Sequence, residues 1–361
     1  MSSPLRAIAL KLHLFLGLTA GTVIATCCLT GAALVFEPEI TRMLHPEWTH
    51  VEGSGSAVTV KVALDSVVAA LPGAKVLGVT VTNDPARPWD LQTDQGVRAL
   101  VDPYTGHVVA LAPFRLPFFQ KAMEIHRWLL ADDVGEWITG AATLMFVFLL
   151  IFGLIIWWPR TKGALKARIN PFAVFSKHGG GRRKLHDLHV ALGIWCWPIL
   201  FFLALSAMPL AYDWAGSLIN YATGVQRGAP PPKSGGDSTA ATLPYDSLVA
   251  LARATFPDAR TWSVRPPQRA NGAVSLVSVA ANDPSDRHID IAYADRLTGA
   301  ILRTDRWADM GTGMHIRRMM EWWHTGRAWG VPLRTLWFLA VLFGASFPLT
   351  GFLMYRAGKR G

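Results

Sequence analysis

The sequence has few of the residues from which disulfide frameworks and thiolate metal sites are built. Only three of its 361 residues are cysteines, Cys27, Cys28 and Cys196, and all three lie in apolar runs. The polar regions therefore carry no disulfide framework, and the three thiols are expected to act as small packing residues. A glycine-rich dinucleotide fingerprint is also missing, which argues against a nucleotide-binding oxidoreductase domain within the chain.

Charged residues are almost missing from four long apolar runs, Leu14–Phe36, Ile138–Trp158, Val190–Tyr212 and Leu333–Tyr355. Each is long enough to cross about 30 Å of hydrocarbon. The one charged residue among them, Arg334, is expected to extend its guanidinium to the membrane surface. The first run is too long for a signal peptide and is expected to remain as an anchor. With 51% hydrophobic residues, the chain is predicted to be an integral membrane protein with four spans.

Basic residues are concentrated beside the spans. The segment from Arg160 to Lys184 carries eight lysines and arginines and no acidic residue, and further basic residues precede the first span and follow the last. Because Lys and Arg collect in cytoplasmic loops, both termini are predicted to be cytoplasmic. The net charge of +10 is thus a topology signal, and no nucleic-acid partner is expected.

The two halves of the chain resemble each other, which predicts an internal duplication. Each half is predicted to consist of a span, a small α+β domain and a second span. The recurring elements are Leu12-His13 with Leu188-His189, Thr30-Gly31 with Ser206-Ala207, His126 with His324, and Gly153 with Gly351.

Each α+β region is predicted to open with a helix capped by Asp65 or Asp246. Strands with alternating apolar residues follow, joined by turns in which Gly106 and Gly299 take the left-handed conformation. The predicted strands are Val76–Val81, Val97–Val101 and His107–Leu111 in the first region, and Val274–Ala280, Ile289–Tyr293 and Ala300–Thr304 in the second.

The predicted organisation has seven segments along the chain. They are 1–37 (span one), 38–120 (first periplasmic domain), 121–160 (periplasmic helix and span two), 161–185 (basic cytoplasmic loop), 186–214 (span three), 215–314 (periplasmic linker and second domain) and 315–361 (periplasmic helix, span four and cytoplasmic tail).

Histidines near the span ends are the residues most suited to chemistry. His13, His186 and His189 lie at the cytoplasmic ends of spans one and three, and His126 and His324 lie outside spans two and four on the opposite side. Because both halves insert in the same orientation, His13 is expected to face His189, and His126 to face His324. Facing imidazoles without a nearby cysteine suit bis-histidine ligation of haem iron. No Cys-x-x-Cys-His motif is present, so two haem b groups are expected to bind non-covalently.

The sequence alone leaves other roles for these histidines open. A histidine at a helix end is often an interface residue. His186 and His189 lie on one helical face, so either is a candidate ligand, although the repeat favours His189. His186 would then contact a propionate or an electron donor. A zinc or copper site would use His186 as a third ligand beside His13.

These patterns resemble the PepSY-associated transmembrane-helix family over nearly the whole chain. The exit motif Trp157-Trp158-Pro159-Arg160 is the most specific match, and the Asp-x-x-Thr-Gly turns resemble those of PepSY domains. The resemblance implies four transmembrane helices and two periplasmic α+β PepSY-like domains, in the inner membrane of a Gram-negative bacterium. The second half departs from the pattern, because His324 lacks the Arg-x-Leu that follows His126.

The best understood members of the family are similar to ferrisiderophore reductases. The resemblance therefore implies a di-haem electron carrier that reduces ferric siderophore in the periplasm and releases Fe(II). It implies axial ligands at His13, His126, His189 and His324, with quinol or a separate reductase as the electron donor. A PepSY-type interaction or regulatory protein without redox activity is one alternative. A siderophore or iron permease is another, disfavoured because the spans lack buried charges and broken helices.

Overall fold

The computed structural model describes residues 4–159, 161, 165, 181–225, 229–235, 241–267, 269, 271–283 and 285–359. Most of the basic loop predicted at 161–185, and part of the linker predicted after residue 215, lie outside these residues. The chain separates into a helical unit (Met1–Glu37, Phe118–Ile219 and Met319–Gly361) and a sheet unit (Pro38–Pro117 and Asn220–Arg318).

Helices form most of the helical unit, and strands with short helices form the sheet unit. The α-helices with described bounds are α1 (Pro4–Leu34), α2 (Glu37–Leu44), α3 (Val60–Ala70), α4 (Pro117–Trp128), α5 (Asp132–Trp157), α6 (Gly181–Ala211), α7 (Asp213–Thr223), α8 (Tyr245–Thr255), α9 (Thr312–His324) and α10 (Gly330–Lys359). The strands in the same residues are β1 (Val76–Thr82), β2 (Trp89–Thr93), β3 (Val97–Val101), β4 (Val108–Pro113), β5 (Ala259–Arg265), β6 (Val274–Ala280), β7 (Ile289–Ala294) and β8 (Ile301–Asp305).

The four long helices α1, α5, α6 and α10 are apolar and long enough to cross a membrane. This confirms the prediction of four spans and makes the chain a multi-pass membrane protein. Helix α1 packs on α5 and α10, and α6 packs on the same two helices. Helices α1 and α6 therefore occupy opposite corners of the bundle. Small residues allow close approach, since a Cβ added to Gly21 of α1 would lie 2.9 Å from the Cβ of Pro348 in α10.

Arg334 lies inside the helical unit. Its side chain is buried, with only 6% of the residue exposed. The guanidinium carbon lies 5.1 Å from the centre of the Phe36 ring, within the range of a cation–π interaction. Phe36, two residues beyond the end of α1, thus gives the cation an aromatic contact that the sequence does not indicate.

The sheet unit contains one antiparallel sheet of eight strands in the order β4-β3-β2-β1-β5-β6-β7-β8. Residues 38–120 and 215–314 are predicted from the sequence to form separate domains, whereas β1 and β5 pair directly, with Val79 opposite Val264. At this junction the Thr80 and Ser263 hydroxyls are 2.7 Å apart. The core is continuous across it, since buried residues of both halves pack together beneath α3 and α8.

Two sequence expectations about the sheet unit have different outcomes. Gly106 and Gly299 both have φ of +75°, which confirms the left-handed turn positions. The capping prediction was wrong, because Thr59 caps α3 and Pro244 precedes α8. The carboxylate of Asp246 instead accepts hydrogen bonds from the first backbone N–H groups of α3, which belongs to the other half.

Candidate functional site

Each of the four histidines predicted as haem ligands contacts a neighbouring helix through its Nδ1 atom. His13 of α1 reaches α5, and His189 of α6 reaches α10. His126 at the end of α4 reaches α1, and His324 at the end of α9 reaches α6. The Nδ1 distances are 2.9 Å from His13 to the Leu149 carbonyl, 2.9 Å from His126 to the Cys27 carbonyl, 2.7 Å from His189 to Thr350 Oγ1, and 2.9 Å from His324 to Ser206 Oγ.

These acceptors assign the tautomer of each imidazole through the hydrogen-bond network. A backbone carbonyl only accepts, so His13 and His126 carry their proton on Nδ1. The Thr350 hydroxyl donates its own proton to the Phe347 carbonyl at 3.0 Å, which leaves its oxygen to accept from His189. Ser206 likewise donates to a carbonyl of its own helix at 3.1 Å and accepts from His324. All four Nδ1 atoms are therefore donors.

A neutral imidazole with its proton on Nδ1 has an unprotonated Nε2, which is the form that binds metals. Within the described residues, none of the four Nε2 atoms has a hydrogen-bond partner. Burial lowers the pKa of His126 and lowers that of His324 to about 4. These two rings, which lie outside the spans, are therefore neutral near pH 7. Anchoring Nδ1 while leaving Nε2 bare is how proteins orient histidine ligands.

The contacts of His126 and His324 repeat each other. His126 Nδ1 faces the Cys27 carbonyl at 2.9 Å and Thr30 Oγ1 at 3.2 Å. His324 Nδ1 lies 2.9 Å from Ser206 Oγ. Thr30 follows His13 by 17 residues, and Ser206 follows His189 by 17. The hydroxyl at the same helical position therefore contacts the same ring atom in both halves.

The histidines form two pairs at different depths. His13 and His186 both lie within electrostatic range of His189, and His126 lies within range of His324. The acceptor of His126 on α1 lies 14 residues beyond His13, which is about 21 Å along a helix. We refer to these as the 13/189 pair and the 126/324 pair.

His186 occupies a different environment from His189. Its side chain is 63% exposed, and its Nδ1 atom lies 3.2 Å from the neighbouring Asp187 carboxylate. Among the described residues, no group of three or more His, Cys, Asp or Glu side chains is arranged to hold a metal ion. His189 Nδ1 therefore contacts Thr350 of α10, whereas the His186 side chain lies exposed on α6.

Some residues of the site can be recognised from the sequence, and others cannot. Thr30 and Ser206 stand out because they occupy the same position after His13 and His189. Thr350 cannot be found in this way, because Phe152 stands at the equivalent position of the first half. The carbonyls of Leu149 and Cys27 are backbone atoms, so their role depends on how the helices pack.

The family model described as the PepSY-associated TM region matches residues 10–357, nearly the whole chain. Comparison with curated proteins finds no match. Together with the four apolar helices and the antiparallel sheet, the match over this length establishes that the chain belongs to the PepSY-associated transmembrane family.

Proposed function

We propose that this protein is a di-haem electron carrier of the membrane that reduces ferric siderophore. The observation that carries the proposal is the donor set, in which four imidazoles have Nδ1 anchored and Nε2 without a partner among the described residues. Two facing imidazoles form the axial ligand set of a low-spin b haem. Along α1 the acceptor of His126 lies about 21 Å beyond His13, which would leave room for two groups at different depths.

The chain's own residues would hold and orient each group. The 13/189 pair would supply the axial ligands of one haem and the 126/324 pair those of the other. Each bound haem would supply a one-electron Fe(III)/Fe(II) couple. The carbonyls of Leu149 and Cys27 would fix the ligand rings and increase their basicity through Nδ1–H. The surrounding apolar helices would keep water away from the iron.

The proposed location is the bacterial inner membrane, with both termini in the cytoplasm. Support comes from the basic residues before α1, in 160–184 and after α10, which favour that orientation. The sheet unit would then lie in the periplasm, as two PepSY-like halves that arose by duplication. The 13/189 pair would be near the cytoplasm and the 126/324 pair near the periplasm.

The proposed reaction moves single electrons outward. Quinol or a separate reductase would give up an electron on the inner side, and a ferric siderophore would accept one in the periplasm. Each electron reduces one Fe(III) to Fe(II), which oxygen-rich chelators hold more weakly. Support for this substrate comes from the resemblance of the histidine and exit motifs to the PepSY-associated transmembrane-helix family, whose best understood members are similar to ferrisiderophore reductases.

The test begins with absorption spectra of the detergent-purified protein, oxidised and dithionite-reduced, and a pyridine haemochrome count. We expect sharp reduced α and β bands and two b haems per chain. The reduced protein is then mixed with a ferric siderophore under anaerobic conditions, and loss of the α band is followed together with capture of Fe(II) by ferrozine.

The two stages separate the parts of the proposal. A spectrum without a Soret band, from cells replete in haem, would rule out the di-haem carrier. A normal haem spectrum without oxidation by any ferric siderophore would retain the carrier and reject the substrate.

A further inference from the structure

Two glycines lie directly against two of the ligand histidines. A Cβ added to Gly153 of α5 would lie 3.2 Å from Cε1 and 3.5 Å from Nδ1 of His13. A Cβ added to Gly31 of α1 would lie at the same two distances from Cε1 and Nδ1 of His126. The two contacts are therefore reciprocal. His13 of α1 rests on Gly153 of α5, and His126 of α4, the helix before α5, rests on Gly31 of α1.

The second half of the chain lacks these contacts. Gly351 occupies the repeat position of Gly153, and a Cβ added there would meet nothing within 4 Å. The repeat position of Gly31 is Ala207, which already carries a Cβ. His189 and His324 are instead held by hydroxyl groups, those of Thr350 and Ser206. Each histidine pair therefore has one member backed by glycine and one that is not.

The position of the contact on the ring gives it a specific consequence. Cε1 is bonded to both ring nitrogens, so pressure on Cε1 displaces Nδ1 from its acceptor and Nε2 from the iron position together. A Cβ–carbon distance of 3.2 Å is shorter than a normal contact, so the ring would have to shift by a few tenths of an ångström. The hydrogen bond of His13 or His126 opposes that shift.

We infer that Gly153 and Gly31 are positioning residues that set the ring orientation of His13 and His126. The first half of the chain thereby supplies the fixed axial ligand of each haem. This inference rests on the proposed di-haem function. It deepens that function by assigning unequal roles to the two histidines of each pair.

The test compares Gly153→Ala and Gly31→Ala with Gly351→Ala and Gly193→Ala, two changes made where added Cβ atoms meet nothing within 4 Å. Replacing glycine by alanine favours a helix by about 1 kcal/mol, so none of the four is expected to impair helix formation. The readouts are haem content, the rate of haem transfer to apomyoglobin, and the electron paramagnetic resonance signals of the oxidised protein. Low-spin ferric signals respond to the angle between the two imidazole planes.

We expect Gly153→Ala to shift the signal of the 13/189 haem and Gly31→Ala to shift that of the 126/324 haem. Each change should weaken retention of the affected haem about tenfold, the scale seen when the support of a metal ligand is altered. The other haem in each variant is the internal control for folding, and each variant tests the inference by itself. Gly351→Ala and Gly193→Ala should leave both signals at their wild-type positions.

Unchanged signals and haem retention in both Gly153→Ala and Gly31→Ala would overturn the inference and leave the two-haem proposal intact. An equal shift in Gly351→Ala would overturn it as well, because the effect would not depend on the histidine contact. Wild-type protein without haem would instead reject the proposed function itself.

Discussion

The two halves of the chain are related differently in the helical unit and in the sheet unit. In the helical unit they repeat a contact, so that Thr30 contacts His126 as Ser206 contacts His324. In the sheet unit the halves join each other, through the pairing of β1 with β5. One repeated pattern thus gives equivalent ligand positions in one unit and a shared core in the other.

The chemistry of each unit explains this difference. Apolar helices in lipid gain little free energy from burying apolar surface against one another. Their polar side chains at matched depths therefore determine which ligands they can bind. A four-stranded sheet in water has two exposed edges and a thin core, and pairing two such sheets through β1 and β5 covers one edge of each and joins their cores. On the proposed di-haem function, changes at the four histidines of the helical unit should alter haem content, whereas changes in the sheet unit should alter stability.

The largest expected effect comes from the ligand histidines. His324→Ala should abolish the low-spin signal of the 126/324 haem and leave the 13/189 haem unchanged, because only one axial ligand set loses a member. Haem content and visible spectra of the purified variant measure this. His186→Ala, which removes the exposed histidine of α6, is the matched control and should keep both signals. Loss of both haems in His324→Ala would contradict independent pairs.

The shared core predicts that the sheet unit unfolds as one body. Leu91 lies on β2 and Leu276 on β6, and both side chains are fully buried. Truncating either to alanine should lower the free energy of unfolding by about 3 kcal/mol. Hydrogen exchange should show reduced protection in all eight strands for both variants, with haem content unchanged. Reduced protection confined to the mutated half would show that the halves fold separately.

The cap contributed across the two halves predicts a smaller effect. Asp246→Ala removes the acceptor of the Val60 and Lys61 N–H groups and should lower the free energy of unfolding by about 1 kcal/mol. Asp65→Ala removes only an exposed ion pair with Lys61 and should change stability by less than about 0.5 kcal/mol. Chemical denaturation followed by tryptophan fluorescence compares them. Equal effects would contradict a stabilising role for Asp246 at the start of α3, beside the Thr59 cap.

The smallest effect is a pH dependence from a turn in the second half. Hydrogen bonds from Ser234 and from backbone N–H groups including that of Thr298 hold the pKa of Asp295 well below its usual value. Its stabilisation is fully present above the unfolded pKa near 4, and is lost as pH falls through the lower folded value. Asp295→Asn should therefore destabilise the sheet unit at pH 7, and the difference from wild type should shrink below pH 4. A constant difference down to pH 2 would contradict this linkage.

The sequence predicts the spans well because long apolar runs have few other structures available. It predicts six of the eight strands by alternation and misses β2 and β5. These two mix apolar residues with charged ones, as in Asp90 or Arg260, which hides their burial. Since β5 is the strand that pairs with β1, the single sheet could not be foreseen. Non-local pairing depends on contacts that a local pattern does not contain.

The candidate site, like the fold, is only partly predictable from the sequence. The four histidines and the matched Thr30 and Ser206 are visible as repeated positions. The anchoring carbonyls and the role of Thr350 are not, because they depend on how neighbouring helices pack. The burial of Arg334 was missed for the same reason, since Phe36 is distant in sequence.

The most direct test of the central claim, two histidine pairs at two depths, compares two double variants by electron paramagnetic resonance. His13→Ala with His189→Ala removes both ligands of one pair, and His13→Ala with His126→Ala removes one ligand from each. The pairing predicts one intact low-spin haem in the first double variant and none in the second. Two altered haems in the first variant, or an intact haem in the second, would contradict it.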